Sequence, residues 1–163
     1  MNAEQLSVQD FMRAYGQTVR TSPNIKLSEQ EIKLRLDLIE EELEELHQAL
    51  IAEDIVEVAD AIGDLLYVIY GTAASFGMDS QQIFSEIHSS NMSKFWLNNE
   101  IATEFNRDAQ EVHQYNGTAN FENDNHVATK ISQNHWIVKN KDGKIIKSPS
   151  FKAPNLKSLL QCR

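Results

Sequence analysis

From Ile55 to Gly77 the chain carries only three charged residues, Glu57, Asp60 and Asp64, and all three are acids. At about 100° per residue they fall within one narrow arc of a helix. The rest of the stretch, with Val56, Val58, Ile62, Leu65, Leu66, Val68 and Ile69, predicts a helix that belongs in a core. Carboxylates gathered on one face of a buried helix repel one another, and each costs on the order of several kcal/mol if left charged and unpaired. Across this helix and the one before it the cations are Lys33 and Arg35 alone. A bound divalent cation is the economical resolution. An all-oxygen carboxylate set suits Mg²⁺ or Mn²⁺, whereas His or Cys ligands point to zinc. The helix macrodipole accounts for acids near the start, Asp54 and Glu57, but not for Asp64 further along.

The preceding helix starts at Ser28, where Ser28 and Glu31 have capping-box spacing, and runs to about Ala52. Ile32, Leu36, Ile39, Leu43, Leu46 and Leu50 form its apolar spine. Lys33, Asp37, Glu40, Glu44, His47 and Gln48 share a polar flank, for which a solvated face is sufficient explanation. Glu41 and Glu45 lie beside Leu34 and Leu38, and Glu42 sits between that side and the spine. A helix with two apolar-lined faces contacts partners on both, so these three acids point towards a groove. A di-iron bundle needs two Glu-x-x-His motifs. Only Glu44 and His47 have that spacing, and both lie on the solvated flank.

A first helix is expected over Val8–Val19, broken by Ser22-Pro23-Asn24, and a fourth from a Ser80 cap to near Ser93. Gly77 has the place of a helix-ending glycine. From Phe95 to His135 there are eight asparagines, few aliphatics and no sustained period, which reads as a long loop or partly disordered insertion, with a helical turn around Glu104 to His113. Trp136-Ile137-Val138 and Ile145-Ile146 flank a turn at Asp142-Gly143, a small hairpin anchored by Trp136, and the tail from Ser148 to Leu160 is expected to lie extended. The expected domains are thus a helical core over 1–94, the insertion over 95–135, and a hairpin with its tail over 136–163. A net charge of −9 argues against non-specific nucleic-acid binding. The longest apolar run, Leu65 to Phe76, is too short for a membrane span. With one cysteine, Cys162, no internal disulfide framework arises, and a cytoplasmic protein is expected.

These acids resemble the motifs of the MazG-like, or phosphoribosyl-ATP pyrophosphohydrolase-like, all-α nucleoside triphosphate pyrophosphatases, EExxE on one helix and ExxD on the next. Here they read Glu41-Glu42-Leu43-Glu44-Glu45 and Glu57-Val58-Ala59-Asp60. Phe11 to Gln17, Asp60 to Thr72, and Glu86-Ile87-His88-Ser89-Ser90-Asn91-Met92-Ser93-Lys94 resemble one single-domain branch, the last being close to its EVHxSNMSK signature. Asp142-Gly143-Lys144, Lys147-Ser148-Pro149 and Pro154 resemble its tail. The insertion is longer than the branch's usual link. In other branches the ExxD aspartate aligns with Asp64 rather than Asp60, so both stand as candidate ligands.

The resemblance implies an all-α, four-helix-bundle-type fold completed by a homodimer, in which the hairpin of the two acidic helices pairs with its copy. It implies Mg²⁺-dependent hydrolysis of a nucleoside triphosphate to monophosphate and pyrophosphate, with nucleotide-pool cleansing as a role. Glu41, Glu42, Glu45, Glu57, Asp60 and Asp64 would hold the metal, and Glu41 or Glu42 would act as general base. Asn91, Ser93, Lys94, Lys144 and Lys147 would surround the phosphates, and Phe11, Tyr15 and Gln17 would contact the base. Two alternatives stand beside it. One is a non-catalytic helical interaction module built on the coiled-coil-like spine. The other is a phosphohydrolase acting on nucleoside diphosphates or a phosphoribosyl nucleotide.

Overall fold

The computed structural model describes residues 1–115 and 120–160, so Cys162 and Asn116 lie outside the described residues. The chain forms two compact units, residues 1–84 with the described residues from Leu156 onward, and Ser85–Asn155, the boundary falling inside one helix.

The first unit holds α1 (Ala3–Ala14), α2 (Glu29–Ile51), α3 (Ile55–Ser75), the start of α4 (Ser80–Met92) and the short α7 (Leu156–Leu159). The capping box at Ser28 and Glu31 is formed, and Asp54 caps α3 by accepting from the amides of Val56 and Glu57. Two starts differ from expectation. Asn2 caps α1, five residues earlier than the apolar spacing indicates, because Gln5 and Gln9 occupy buried positions. Asp79, not Ser80, caps α4 through the amides of Gln81 and Gln82. Gln5 is fully buried and joins α1 to the α3–α4 turn, donating to the Met78 carbonyl at 2.7 Å and accepting from the Ser80 hydroxyl at 2.8 Å. Gly77 ends α3 at φ 68°, and a Cβ there would meet the Ser22 carbonyl oxygen at 2.1 Å. Only glycine permits that crossing. Nearby, Arg20 fixes the entry to α2, pairing with Glu31 at 3.1 Å and donating to the Ser75 carbonyl at 2.7 Å.

The buried stripe of α2 is not its apolar spine. Arg35 and Ala49 are buried and Leu38, Ile39, Glu42 and Leu46 half-buried, while Leu36, Leu43 and Leu50 are each more than half exposed. On α3 the buried positions are Ala61, Val68, Gly71, Ala74 and Ser75, and Val56, Ile62, Leu66 and Ile69 are exposed. The expectation that α3 is apolar because a core surrounds it is corrected accordingly. One chain supplies α1 and one hairpin, which cover a single stripe of each helix, and the other apolar rows face outward.

The second unit corrects the all-α expectation. Among the described residues of 95–135, β1 (Trp96–Leu97), α5 (Asn98–Glu104), α6 (Ala109–Gln114), β2 (Phe121–Glu122) and β3 (His126–Lys130) precede β4 (His135–Asn140) and β5 (Ile145–Ile146). The strands make one antiparallel sheet in the order β1-β4-β3-β2, with β5 also on β4. The β4–β5 hairpin is the expected one. Trp96, Phe121, Ala128, Trp136 and Val138 of the sheet, with Ile101, Phe105 and Val112 of α5 and α6, form a separate core. The asparagines that suggest disorder instead make turns. Asn123 accepts from the amides of Asn125 and His126 and Asn98 from the Trp136 indole, and beyond that stretch Asn140 does the same for the hairpin turn, accepting from the amides of Asp142 and Lys144. The tail expected to be extended instead turns at 149–150, where the Phe151 amide donates to the Ser148 carbonyl at 3.0 Å, and ends in α7.

Candidate active site

The α2–α3 hairpin places the acids. Glu53 turns the chain at φ 55°, Asp54 starts α3, and the small side chains of Ala49 and Ala61 are buried at the closed end of the hairpin. Glu45 and Glu42 of α2 thereby come level with Asp60 and Asp64 of α3. Glu42 and Asp64 are half-buried, and Glu41, Glu45, Glu57 and Asp60 are exposed. The electrostatics tie the two helices together. Burial raises the Glu42 pKa above the ordinary glutamate value, and the charges of Asp64, Glu45, Glu41 and Asp60 raise it further. A cleft of about 410 Å³ towards the closed end is lined by Glu44, Glu45, Gln48, Glu57 and Asp60 among others. Glu44, assigned to the solvated flank from sequence, therefore lines this cleft and accepts a hydrogen bond from Gln48.

Among the described residues no three such acids converge as a ready-formed metal site. They fit a hard divalent cation by chemistry rather than by finished geometry. Every donor is a carboxylate oxygen, and Glu42 is held among four like charges with no cation bonded to it. That arrangement favours either a proton or a metal ion, and both have the same physical cause.

Beyond Asp64 along α3 lies a second group of side chains. Tyr67 meets Phe11 of α1 edge-on with ring centroids 5.6 Å apart, and Phe11 lies 4.4 Å from Tyr15. All three rings are exposed, at 40%, 43% and 71%. One turn further on, Arg35 is buried and donates to the Gln17 side-chain oxygen at 2.6 Å. Burial lowers the Arg35 pKa from the usual arginine value, with Glu31 countering it. Tyr67 and Arg35 are site neighbours that the motif reading passes over. The available signal was their spacing, Tyr67 three residues after Asp64 and Arg35 seven before Glu42.

The remaining candidates belong to the second unit, and their contacts there are structural. Lys94 donates to the Asn91 side-chain oxygen at 2.6 Å. Ser93 secures the tail, its hydroxyl accepting from the Lys152 amide at 2.9 Å and its carbonyl from Ser148 at 3.1 Å. The Lys147 ammonium lies 4.3 Å from the centre of the Phe151 ring, and the Lys144 side chain is exposed. A larger cleft of about 680 Å³ opens in this unit beside His113, Tyr115 and Lys130. Among the described residues no carboxylate lines it, and the Lys130 ammonium is already engaged by the carbonyls of Val112, His113 and Tyr115 at the end of α6. It does not compete with the acidic hairpin as a catalytic site.

Residues 8–91, which contain every acid of the hairpin and the aromatic group beside it, match the family described as phosphoribosyl-ATP pyrophosphohydrolase. The chain is also similar to Uncharacterized protein L479 of Acanthamoeba polyphaga mimivirus, 41% identical over 76 residues. That alignment covers 45% of this chain and 30% of the relative, so the chain spans less than a third of the relative's length. Among the described residues no helix is long and apolar enough to cross a membrane.

Proposed function

We propose, since the chain belongs to the phosphoribosyl-ATP pyrophosphohydrolase family, that it hydrolyses nucleoside triphosphates to monophosphate and pyrophosphate with Mg²⁺ as cofactor. The family membership carries the reaction class, cleavage of a pyrophosphate bond. The crowding of Glu42 by carboxylates from both helices supports the metal. Glu41, Glu42, Glu45, Glu57, Asp60 and Asp64 are the residues that would hold it. When bound, Mg²⁺ supplies neutralisation of the triphosphate oxygens and lowers the pKa of a coordinated water.

The chain's own contribution is the placement of a base. Glu42 is the better choice over Glu41, because burial and then its neighbouring carboxylates raise its affinity for a proton. Asp64 of α3, equally half-buried, is the neighbouring carboxylate whose charge acts most strongly on Glu42. Asn91, Ser93 and Lys94 remain proposed phosphate contacts on the strength of the EVHxSNMSK resemblance, and Lys144 and Lys147 on that of the tail.

A homodimer belongs to the same proposal. Leu36, Leu43 and Leu50 recur every seven residues on the outer face of α2, and Ile62, Leu66 and Ile69 form an exposed row on α3. A heptad row of this kind suits a second copy of the same hairpin. Sedimentation should report a particle of twice the chain mass, and Leu43→Glu should shift it to the monomer.

The deciding experiment is hydrolysis of a panel of ribo- and deoxyribonucleoside triphosphates with and without Mg²⁺, resolving pyrophosphate from phosphate, for wild type and Glu45→Gln. Mg²⁺-dependent pyrophosphate release that the variant loses is the expected outcome. Phosphate without pyrophosphate would transfer the protein to another phosphohydrolase class. No turnover, together with no effect of Mg²⁺ on melting, would sink the metal reading and leave a helical interaction module.

A further inference from the structure

Asp64, Tyr67 and Gly71 follow one another along one row of α3 in steps of three and four residues, so their positions are neighbours on a single helix face. The row rises roughly 10 Å from Asp64 to Gly71 at about 1.5 Å per residue. The facing helix repeats the order, with Glu42 opposite Asp64 and Arg35, seven residues earlier, against Gly71. A Cβ on Gly71 would lie 3.1 Å from the Arg35 Nη1 atom, so the absence of a side chain at position 71 makes room for the guanidinium. Three chemistries are therefore laid out in sequence along α3. The carboxylates come first, then the exposed aromatic group of Phe11, Tyr15 and Tyr67, then the Arg35–Gln17 pair.

The Arg35–Gln17 bond fixes which way the Gln17 amide faces. A guanidinium donates hydrogen bonds and cannot accept them. The Gln17 atom 2.6 Å from Arg35 must therefore be the carbonyl oxygen. The amide NH₂ is then turned away from Arg35, and among the described residues it makes no hydrogen bond. Gln17 is only half-buried, so this donor is accessible. Its position is set by the end of α1. Gly16 takes φ 69° and the Gln17 amide donates to the Met12 carbonyl at 2.8 Å, a hydrogen-bonded helix terminus that leaves Gln17 two residues from Tyr15.

We infer that Phe11, Tyr15 and Tyr67 form a stacking shelf for the nucleobase, and that Gln17, oriented by Arg35, selects bases presenting a carbonyl oxygen at the recognition edge. This rests on the nucleotide hydrolysis proposed above and adds the substrate class. Uracil, thymine and guanine present a carbonyl acceptor where cytosine and adenine present an amino donor. A fixed NH₂ bonds the first group and opposes the second donor to donor. Discrimination by a buried polar group left unpaired is larger than discrimination by shape. Arg35 is a positioning residue, since it acts through Gln17. The aromatic shelf has no preference between bases, because every base has a π face.

The test is calorimetric binding of the non-hydrolysable α,β-imido analogues of dUTP and dCTP in the presence of Mg²⁺, alongside pyrophosphate release from the natural nucleotides. Wild type should bind the uracil analogue at least tenfold more tightly. Gln17→Glu, which presents acceptors only and keeps a partner for Arg35, should reverse the order. Arg35→Met should bring the ratio of the two affinities towards one. Tyr67→Ala should weaken both analogues by about tenfold and leave the ratio unchanged. Equal affinities in wild type, a cytosine preference, or no binding of either analogue overturns the inference, and the wild-type ratio decides even where a variant fails to fold. Base preference without pyrophosphate release would reject the proposed reaction and keep the base site, whereas pyrophosphate release without preference would do the reverse.

Discussion

Replacing Glu42 by glutamine separates a structural acid from a site acid. In the metal-free protein the charged form of Glu42 is disfavoured first by its partial burial and then by the charges of Asp64, Glu45, Glu41 and Asp60. Like-charge contacts in partly solvated helical settings are worth a few tenths of a kcal/mol each, roughly 0.2–0.5. Four of them sum to about 1 kcal/mol, with partial burial adding to it. Glutamine keeps the shape and removes the charge. Glu42→Gln should therefore raise the melting temperature in EDTA by about 4–8 °C, the shift that 1 kcal/mol produces in a unit of this size. In Mg²⁺ the order should reverse. Wild type gains about 2.7 kcal/mol when the ion is present at about a hundred times its dissociation constant, while the variant gains much less. Differential scanning fluorimetry across a Mg²⁺ titration reads both effects. A Glu42→Gln protein that melts lower than wild type in EDTA would mean that the carboxylate holds a structural hydrogen bond, and the argument from crowding would be wrong.

Other features give shorter tests. Gly77→Ala should lower stability by at least about 2 kcal/mol, from its positive φ and the Ser22 carbonyl 2.1 Å from the new Cβ, measured by urea unfolding. Glu31 is lowered from an ordinary 4.5 to about 2, first by its hydrogen bond from Arg20 and then by the Ser28 amide. Its contribution to stability is complete above about pH 4.5 and is lost as the pH falls through about 2, so Arg20→Met should flatten the stability profile across that window. An unchanged slope would remove Arg20 as the cause. Trp136→Ala should cost about 3–5 kcal/mol in the second unit, because the ring is fully buried and lies 4.9 Å from Phe121. Hydrogen exchange should then rise across Ser85–Asn155 while α2 and α3 keep their protection.

The helical hairpin was legible because its ends are written in local chemistry. Ser28 with Glu31, Asp54 and Gly77 each announce a boundary through their own backbone bonds. Period analysis served less well for faces. The leucine row of α2 reads as a core spine, yet the buried stripe runs through Arg35 and Glu42, a pattern that apolar periodicity cannot reveal. The six acids of the hairpin were recognisable as a group, and Glu44 is exposed as a solvated flank requires, but Tyr67 and Arg35 were invisible to a search for acids. The second unit was hidden for a different reason. Half of its core residues are aromatic, with Trp96, Phe105, Phe121 and Trp136 far apart in sequence, and Asn123 carries turn hydrogen bonds where composition alone suggests disorder.

The register of β1 and β4 pairs Trp96 with Trp136. Directly opposed antiparallel residues have Cα atoms about 5 Å apart. The chain thus leaves for a forty-residue excursion and returns to the next strand position, as a tight turn would have brought it. Two helices and two strands hang from that pair as a cassette. Because β3 also pairs along β4 from Trp136 to Asn140, and Phe121 and Ala128 share a core with Trp136, such a segment can change length in its loops while β3 stays tied to the β4–β5 hairpin.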